Sequence, residues 1–243
     1  MKAFILAAGL GTRLKPLTDD KPKALVKLNG KPMLEHVIQN LKKAGINNFV
    51  INVHHFADKI ETFLKEKNFF DCDIKISDER AKLLDTGGAL LHAEKLLSDC
   101  DNFIIHNTDI LSDININKLV KHHKKNNALA TLAVHKKKSS RKLGFNKDKE
   151  LCIWKNFNTG ETKTAKKECK DPEFYAFTGI HILNKTVFNN ITEKGKFSVI
   201  DLYLRLAAEH KIKAFEAKYN YWFDLGKPET LKEAESYIKN MQL

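Results

Sequence analysis

No stretch of the 243-residue chain approaches the ~20 apolar residues that a membrane-spanning helix needs. The apolar run at residues 3–10, preceded by Lys2, resembles the core of a leader peptide. It is short, though, holds Gly9 and continues into Gly11-Thr12-Arg13, so a buried first strand entering a loop explains it better. The four cysteines, Cys72, Cys100, Cys152 and Cys169, make no C-x-x-C and no zinc-type spacing with histidine. They read as ordinary thiols of a reducing compartment, so the expectation is a soluble, cytoplasmic protein. The adjacent pairs His54-His55 and His122-His123 point to different faces of any helix or strand, which argues against a two-histidine metal site. Internal repeats, low-complexity segments and long linkers are also missing. We therefore expect one domain over residues 1–243, with a core at 1–135 and an extension at 136–243.

What the chain has in excess is positive charge: 42 Lys and Arg against 30 Asp and Glu, a formal net charge of +12. Such an excess favours anionic partners without choosing among them. Much of it falls in polar stretches, at Lys136 to Lys138 with Arg141 and Lys142, and between Lys163 and Lys170. No nucleic-acid module accompanies them, and no aromatic residues are interleaved with them, so a solvated surface is the better reading. No nucleic-acid or membrane partner is expected.

The apolar pattern alternates. A continuous apolar run at 3–7 reads as a strand covered on both faces, and the mainly apolar stretches 49–53 and 102–106 read as further buried strands. Between them lie helical patterns, one opened by Pro32 with Leu34, Val37, Ile38 and Leu41 on one face, another around Ile60, Phe63 and Leu64. This order predicts an α/β fold: a Rossmann-like, mainly parallel twisted sheet with helices on both faces. Past residue 136 the rhythm shifts to short strands, giving a small β-rich extension, then a helix near residues 198–209 and a last helix from Pro228. In such sheets ligands bind at the carboxyl ends of the strands. Functional residues should therefore follow Ala7, Val53, Ile76 and His106, with Asn52 and Asp78 as further candidates for the cleft wall.

The segment after the first strand carries Leu6, Ala7, Ala8, Gly9, Gly11, Thr12 and Arg13, and then Pro22-Lys23-Ala24-Leu25. Small residues admit a ligand close to the backbone, whose N–H groups can face phosphate oxygens. Arg13 offers a planar fork and Lys23 a compact charge, a combination suited to a triphosphate. Two commoner glycine-rich loops are excluded. The dinucleotide fingerprint needs a glycine where Leu14 stands, and the P-loop needs Gly-Lys-Ser/Thr, which is absent.

This segment resembles the signature of the sugar-1-phosphate nucleotidyltransferases, G-x-G-T-R-x-x-P-x-T followed by P-K-x-L, at every position. The resemblance runs on through Leu84-Asp85-Thr86-Gly87-Gly88, similar to the family's base-binding turn, and Asn107-Thr108-Asp109, similar to its metal-binding Gly-Asp but with Thr108 for glycine. It continues at Phe177-Thr178-Gly179-Ile180, similar to a sugar-pocket strand, and at Phe223-Asp224-Leu225-Gly226, similar to a second metal-binding Asp-x-Gly. The compact length resembles the N-acetylmuramate-1-phosphate uridylyltransferase branch, and short mannose-1-phosphate guanylyltransferase-like members are also similar.

The resemblance implies a magnesium-dependent transfer of a nucleotidyl group from a nucleoside triphosphate to a sugar 1-phosphate, releasing pyrophosphate. UTP with N-acetylmuramate 1-phosphate is the first expectation. A mannose- or heptose-1-phosphate guanylyltransferase is the alternative, and a non-catalytic nucleotide-binding sensor is an alternative of another class. By the same resemblance Lys23 contacts the α-phosphate and Arg13 the β- and γ-phosphates. Asp109 and Asp224 hold Mg2+, and Thr86, Gly87 and Gly88 meet the base. Gly144, Thr178, Gly179 and Asp201 face the sugar; Trp154, Asn156 and Glu161 are weaker candidates in the variable region. A monomer or homodimer is expected.

Overall fold

The computed structural model describes residues 1–165 and 169–241. The chain forms two compact units, each assembled from segments far apart in sequence. The first unit gathers residues 2–83, 106–114 and 219 onward; the second gathers Met1, residues 84–105 and 115–218. None of these boundaries falls near residue 135, where the sequence pattern changes. The reason is that the C-terminal helix returns to the N-terminal loop instead of completing the extension.

In the first unit the strands Lys2–Leu6, Asn48–Val53 and Asp73–Asp78 run parallel, in that order. Phe4, Ile5, Val50 and Ile51 are buried, as expected where both faces are covered. Helix Met33–Lys43 starts directly after Pro32, whose fixed φ suits a helix entrance. It buries Met33, Leu34, Val37, Ile38 and Leu41 along one stripe, each worth roughly 1.5–3 kcal/mol of burial. Lys42 and Lys43 sit in its last turn, and Gly45 takes φ +84° just beyond.

Helix Ala57–Glu66 follows the second strand and buries Ile60 and Leu64. A separate cluster of Leu14, Val26, Leu28, Met33, Leu225, Leu231 and Ala234 clamps the N-terminal loop to helix Pro228–Met241. One short strand was not legible in the sequence. Ile110–Ser112 pairs antiparallel with Trp222–Asp224, an association of three residues each across a long separation.

The second unit carries the β-rich part. Ala130–His135 pairs with Ile212–Glu216 in parallel and with Glu173–Asn184 in antiparallel fashion. Arg141–Phe145, Leu151–Asn156 and Thr162–Thr164 extend that sheet as antiparallel hairpins. The register of Glu173–Asn184 shifts between Phe177 and His181, around Gly179 at φ +82°. The two extra residues bend the strand, and glycine tolerates the conformation. Helix Ile116–Asn126 is capped by Asn115, whose side chain accepts the Lys118 N–H, and helix Val199–Leu206 by Ser198, which accepts the Ile200 N–H.

Two expectations change here. Cys152 and Cys169 are joined in a disulfide, their Cα atoms 5.8 Å apart, because the Thr162–Thr164 hairpin folds the later cysteine back beside its strand. Cys72 and Cys100 are free thiols. The basic stretches, aromatic-free in sequence, meet rings in space: Lys142 lies over Phe157 at 5.7 Å and Lys163 over Trp154 at 5.4 Å. Several are also paired with carboxylates, Lys136 with Glu173 and Lys163 with Asp201. No helix among the described residues is long and apolar enough to cross a membrane.

Candidate active site

Arg13, Lys23, Asp109 and Asp224 all belong to the first unit. The parallel strands bring Leu6 level with Asn52 and Asn52 level with Ser77, so their carboxyl ends form one edge. At that edge the Asn52 side-chain carbonyl accepts the Ala7 N–H at 2.6 Å and the Ala8 N–H at 3.3 Å. Its amide donates to Glu79 Oε1 at 2.8 Å. The Ala7 and Ala8 amides, read from sequence as able to face phosphate, are thus satisfied by the protein itself. Buried N–H groups must find a partner, and Asn52 is the nearer one. The sequence places Asn52 at a strand end as a candidate for the cleft wall, and nothing in it points to Glu79.

Beyond this fastening the loop opens. Gly9 has free space where a side chain would project. Gly11 takes φ +67° and leads the short turn Thr12–Leu14. A Cβ on Gly11 would stand 2.8 Å from Thr18 Cγ2, and the Thr18 hydroxyl donates to the Gly11 carbonyl at 2.9 Å. Glycine is therefore required twice, by conformation and by contact. Leu14, in the position where a dinucleotide loop has glycine, is fully buried and anchors the turn, while Arg13 stays exposed.

Lys23 opens the turn Lys23–Leu25 after Pro22, with Ala24 buried behind it. Its ammonium donates to Asp109 Oδ2, with both side chains mostly covered. Asp109 follows the strand Asn102–Asn107. The preceding Thr108, glycine in the family pattern, donates through both its N–H and its hydroxyl to the Leu6 carbonyl. The threonine thus ties the Asp109 turn to the end of the first strand and leaves the carboxylate free to point elsewhere.

Asp224 ends Trp222–Asp224, opposite Ile110, and the Leu225 N–H donates to the Asp109 carbonyl at 2.8 Å. The two aspartates are therefore held by one ribbon. Gly226 donates its N–H to Asp224 Oδ1 at 2.9 Å. A Cβ there would meet both Arg13 Nη2 and Asp224 Oδ1 at 2.8 Å. The arginine and the second aspartate thus converge over this glycine. Two carboxylates are hard-oxygen donors, the kind magnesium takes, and bound phosphates can supply its remaining ligands. Among the described residues no group of three or more His, Cys, Asp or Glu forms a complete metal cage. Asp109 and Asp224 are the two such donors beside Arg13 and Lys23.

Asp78, the other cleft-wall candidate, ends the strand Asp73–Asp78 of the first unit, whereas the candidates for base and sugar lie in the second. Thr86 Oγ1 accepts the Val199 N–H at 3.0 Å, and the Gly87 N–H donates to the Phe197 carbonyl at 2.9 Å. A Cβ on Gly87 would strike the Phe197 ring at 2.4 Å, and one on Gly88 the Gly195 carbonyl at 2.3 Å. These glycines permit close packing of helix Asp85–His92 on that segment. Gly144 makes room for Ile153, 2.5 Å from its virtual Cβ. Thr178 is buried and donates its hydroxyl to the Ala133 carbonyl at 2.8 Å, next to the bulge at Gly179. Asp201 is exposed and accepts from Lys163 at 2.8 Å, beside Trp154.

Residues 2–241 match the family model described as Nucleotidyl transferase. The chain belongs to that family. Among its members it stands with the sugar-1-phosphate nucleotidyltransferases. It is 30% identical to the N-acetylmuramate alpha-1-phosphate uridylyltransferase of Caulobacter vibrioides, over 97% of this chain and 96% of that protein. It is 34% identical to the mannose-1-phosphate guanyltransferase of Yarrowia lipolytica, over 94% of this chain and 61% of that longer protein. The fold matches HddC from Yersinia pseudotuberculosis, solved with GMP-PN, at TM-score 0.78 and 24% identity over 98% of this chain and 99% of that one. A UDP-glucose pyrophosphorylase solved with UDP-glucose matches at TM-score 0.78 and 19% identity, over 98% of each chain. The α/β, Rossmann-like fold expected from the strand–helix rhythm is that of these proteins.

Proposed function

We propose that this chain, as one nucleotidyltransferase domain over residues 1–243, joins UTP to N-acetylmuramate 1-phosphate, releasing pyrophosphate. The observation that carries the reaction is the gathering of Arg13, Lys23, Asp109 and Asp224 around one strand edge. The end-to-end likeness to the uridylyltransferase supports the substrate pair.

A sugar-phosphate oxygen attacks the α-phosphorus of the triphosphate, and pyrophosphate leaves. The nucleophile is already an anion, so the residues need to position and neutralise charge, not to remove a proton. Lys23 exchanges its carboxylate partner for the α-phosphate and stabilises the charge that builds there. Arg13 holds the β- and γ-phosphates and accompanies the leaving group. Asp109 and Asp224 are the residues that would hold Mg2+. When bound, the ion supplies charge neutralisation between phosphate oxygens. Leu6, Ala7, Ala8, Gly9, Gly11 and Thr12 line the nucleotide's approach, with Thr86, Gly87 and Gly88 on the base. Gly144, Thr178, Gly179 and Asp201 serve the sugar. The reaction needs no nucleic-acid or membrane partner.

The identity of 34% to a guanyltransferase favours a second reading, GTP with mannose 1-phosphate. A matrix of the four nucleoside triphosphates against several sugar 1-phosphates, read by pyrophosphate release with magnesium, separates the two. The highest kcat/KM is expected for UTP with N-acetylmuramate 1-phosphate. Highest turnover with GTP and mannose 1-phosphate would replace the first reading by the second, and silence across the matrix would remove both.

A further inference from the structure

A small polar cavity of about 110 Å³ lies in the first unit, bounded by helix Met33–Lys43, His106, the strand Ile110–Ser112 and Tyr221. None of the groups assigned to the reaction lines it. Two buried atoms in its wall have no hydrogen-bond partner: His106 Nε2 and Ser112 Oγ. The residues are only 1% and 4% exposed. Leaving such groups unpaired is costly, so a native protein fills the space between them with something polar. The volume has room for about three or four water-sized groups.

The chemistry of the wall is specific. His106 Nδ1–H donates to the Asn107 carbonyl at 2.8 Å, which leaves Nε2 as a bare lone pair. Burial holds this imidazole neutral, its pKa lowered to about 4. Nε2 therefore demands a donor. Ser112 offers a hydroxyl, and Lys43 stands at the exposed rim as the charged group of the wall. The neighbouring carboxylates are engaged elsewhere. Asp113 accepts from Asn220 and from the Tyr221 N–H, and Glu35 pairs with Gln39 and Lys67. A ligand here must be anionic toward Lys43 and Ser112, yet carry an O–H for His106.

We propose that this cavity is a binding site for a small protonated oxyanion of the hydrogen phosphate type. The ion's O–H donates to His106 Nε2, and its oxygens accept from Ser112 and Lys43. Sulfate, which has the same shape and no proton at neutral pH, leaves Nε2 unsatisfied. The site shares a wall with the reaction centre, since Ile110–Ser112 pairs with Trp222–Asp224 and follows Asp109 directly.

Calorimetric titration of the whole protein with inorganic phosphate at neutral pH tests this. One saturable phosphate is expected, with sulfate about tenfold or more weaker, the loss that one unmade hydrogen bond to a buried group brings. Ser112→Ala and Lys43→Met are each expected to weaken phosphate about tenfold, as loss of a charge-assisted hydrogen bond does. An unchanged melting temperature verifies that each variant is folded. Arg13→Ala should leave this binding unaltered. Absence of saturable binding, equal affinity for phosphate and sulfate, or binding lost in Arg13→Ala but kept in Lys43→Met would each overturn the assignment. These outcomes do not depend on turnover, so they stand apart from the proposed reaction.

Discussion

Lys23 and Asp109, 86 residues apart in sequence, meet as an ion pair, the lysine ammonium donating to the aspartate carboxylate. Each group neutralises the other while phosphate and cation are away. In the proposed reaction both must trade partners, the lysine for a phosphate and the aspartate for magnesium. Lys23→Met should lower kcat/KM by roughly 10²–10³, the usual cost of one group that stabilises transition-state charge. It should also lower the magnesium concentration that gives half-maximal rate, because the lysine no longer competes for Asp109. A raised magnesium requirement in this variant would contradict the exchange.

Asp109→Ala is expected to abolish pyrophosphate release while the protein stays folded. The bond from the Leu225 N–H goes to the Asp109 backbone carbonyl, and Thr108 holds the turn, so neither needs the carboxylate. Circular dichroism and thermal melting check the fold. Turnover at the native rate would remove the metal role.

Gly226→Ala introduces a methyl group 2.8 Å from both Arg13 Nη2 and Asp224 Oδ1. Both contacts are flexible side-chain ends, so the residues shift and the fold persists. We expect a several-fold rise in KM for the triphosphate and a change in melting temperature of only a few degrees, the size that about 1 kcal/mol brings. Steady-state kinetics with varied triphosphate measure it.

Thr108→Val removes the hydroxyl bond to the Leu6 carbonyl but keeps the backbone N–H that shares the same acceptor. The carbonyl stays satisfied, so the loss should be about 0.5–1.5 kcal/mol in urea denaturation. A loss of several kcal/mol would mean that the hydroxyl has a partner beyond Leu6.

Burial lowers the pKa of His123 to about 4, while its ring bonds Thr131 Oγ1 at 2.8 Å and Asn102 Oδ1 at 2.9 Å. His106 behaves alike, also near 4. In the unfolded chain each takes up a proton near pH ~6.5, so between there and about 4 the unfolded state binds more protons. Stability is therefore complete above roughly 6.5 and falls with acidification toward 4, by up to about 1.4 kcal/mol per pH unit for each histidine. Urea denaturation from pH 4.5 to 7.5 measures the slope. His123→Gln should flatten it, and an unchanged slope would rule His123 out as a source.

The sequence by itself determined what a few neighbouring residues can encode. Pro32, Ser198 and Pro228 mark helix starts, apolar runs mark the buried strands, and Leu14 with the missing Gly-Lys-Ser/Thr separates this loop from the commoner phosphate loops. Asp109 was legible because it follows an apolar strand. Only the tertiary structure decided the pairings that make these residues a site. Asn52 captures the Ala7 and Ala8 amides that the loop pattern left open for a ligand. Ile110–Ser112 becomes a strand only because Trp222–Asp224 lies against it, and that pairing ties Asp224 to Asp109. Cys152 meets Cys169, and Arg13 and Asp224 each approach Gly226. The physical reason is range. Turn chemistry and periodicity act over a few residues, whereas the partner of an unpaired amide, a three-residue strand or a buried charge is settled by how the whole chain excludes water.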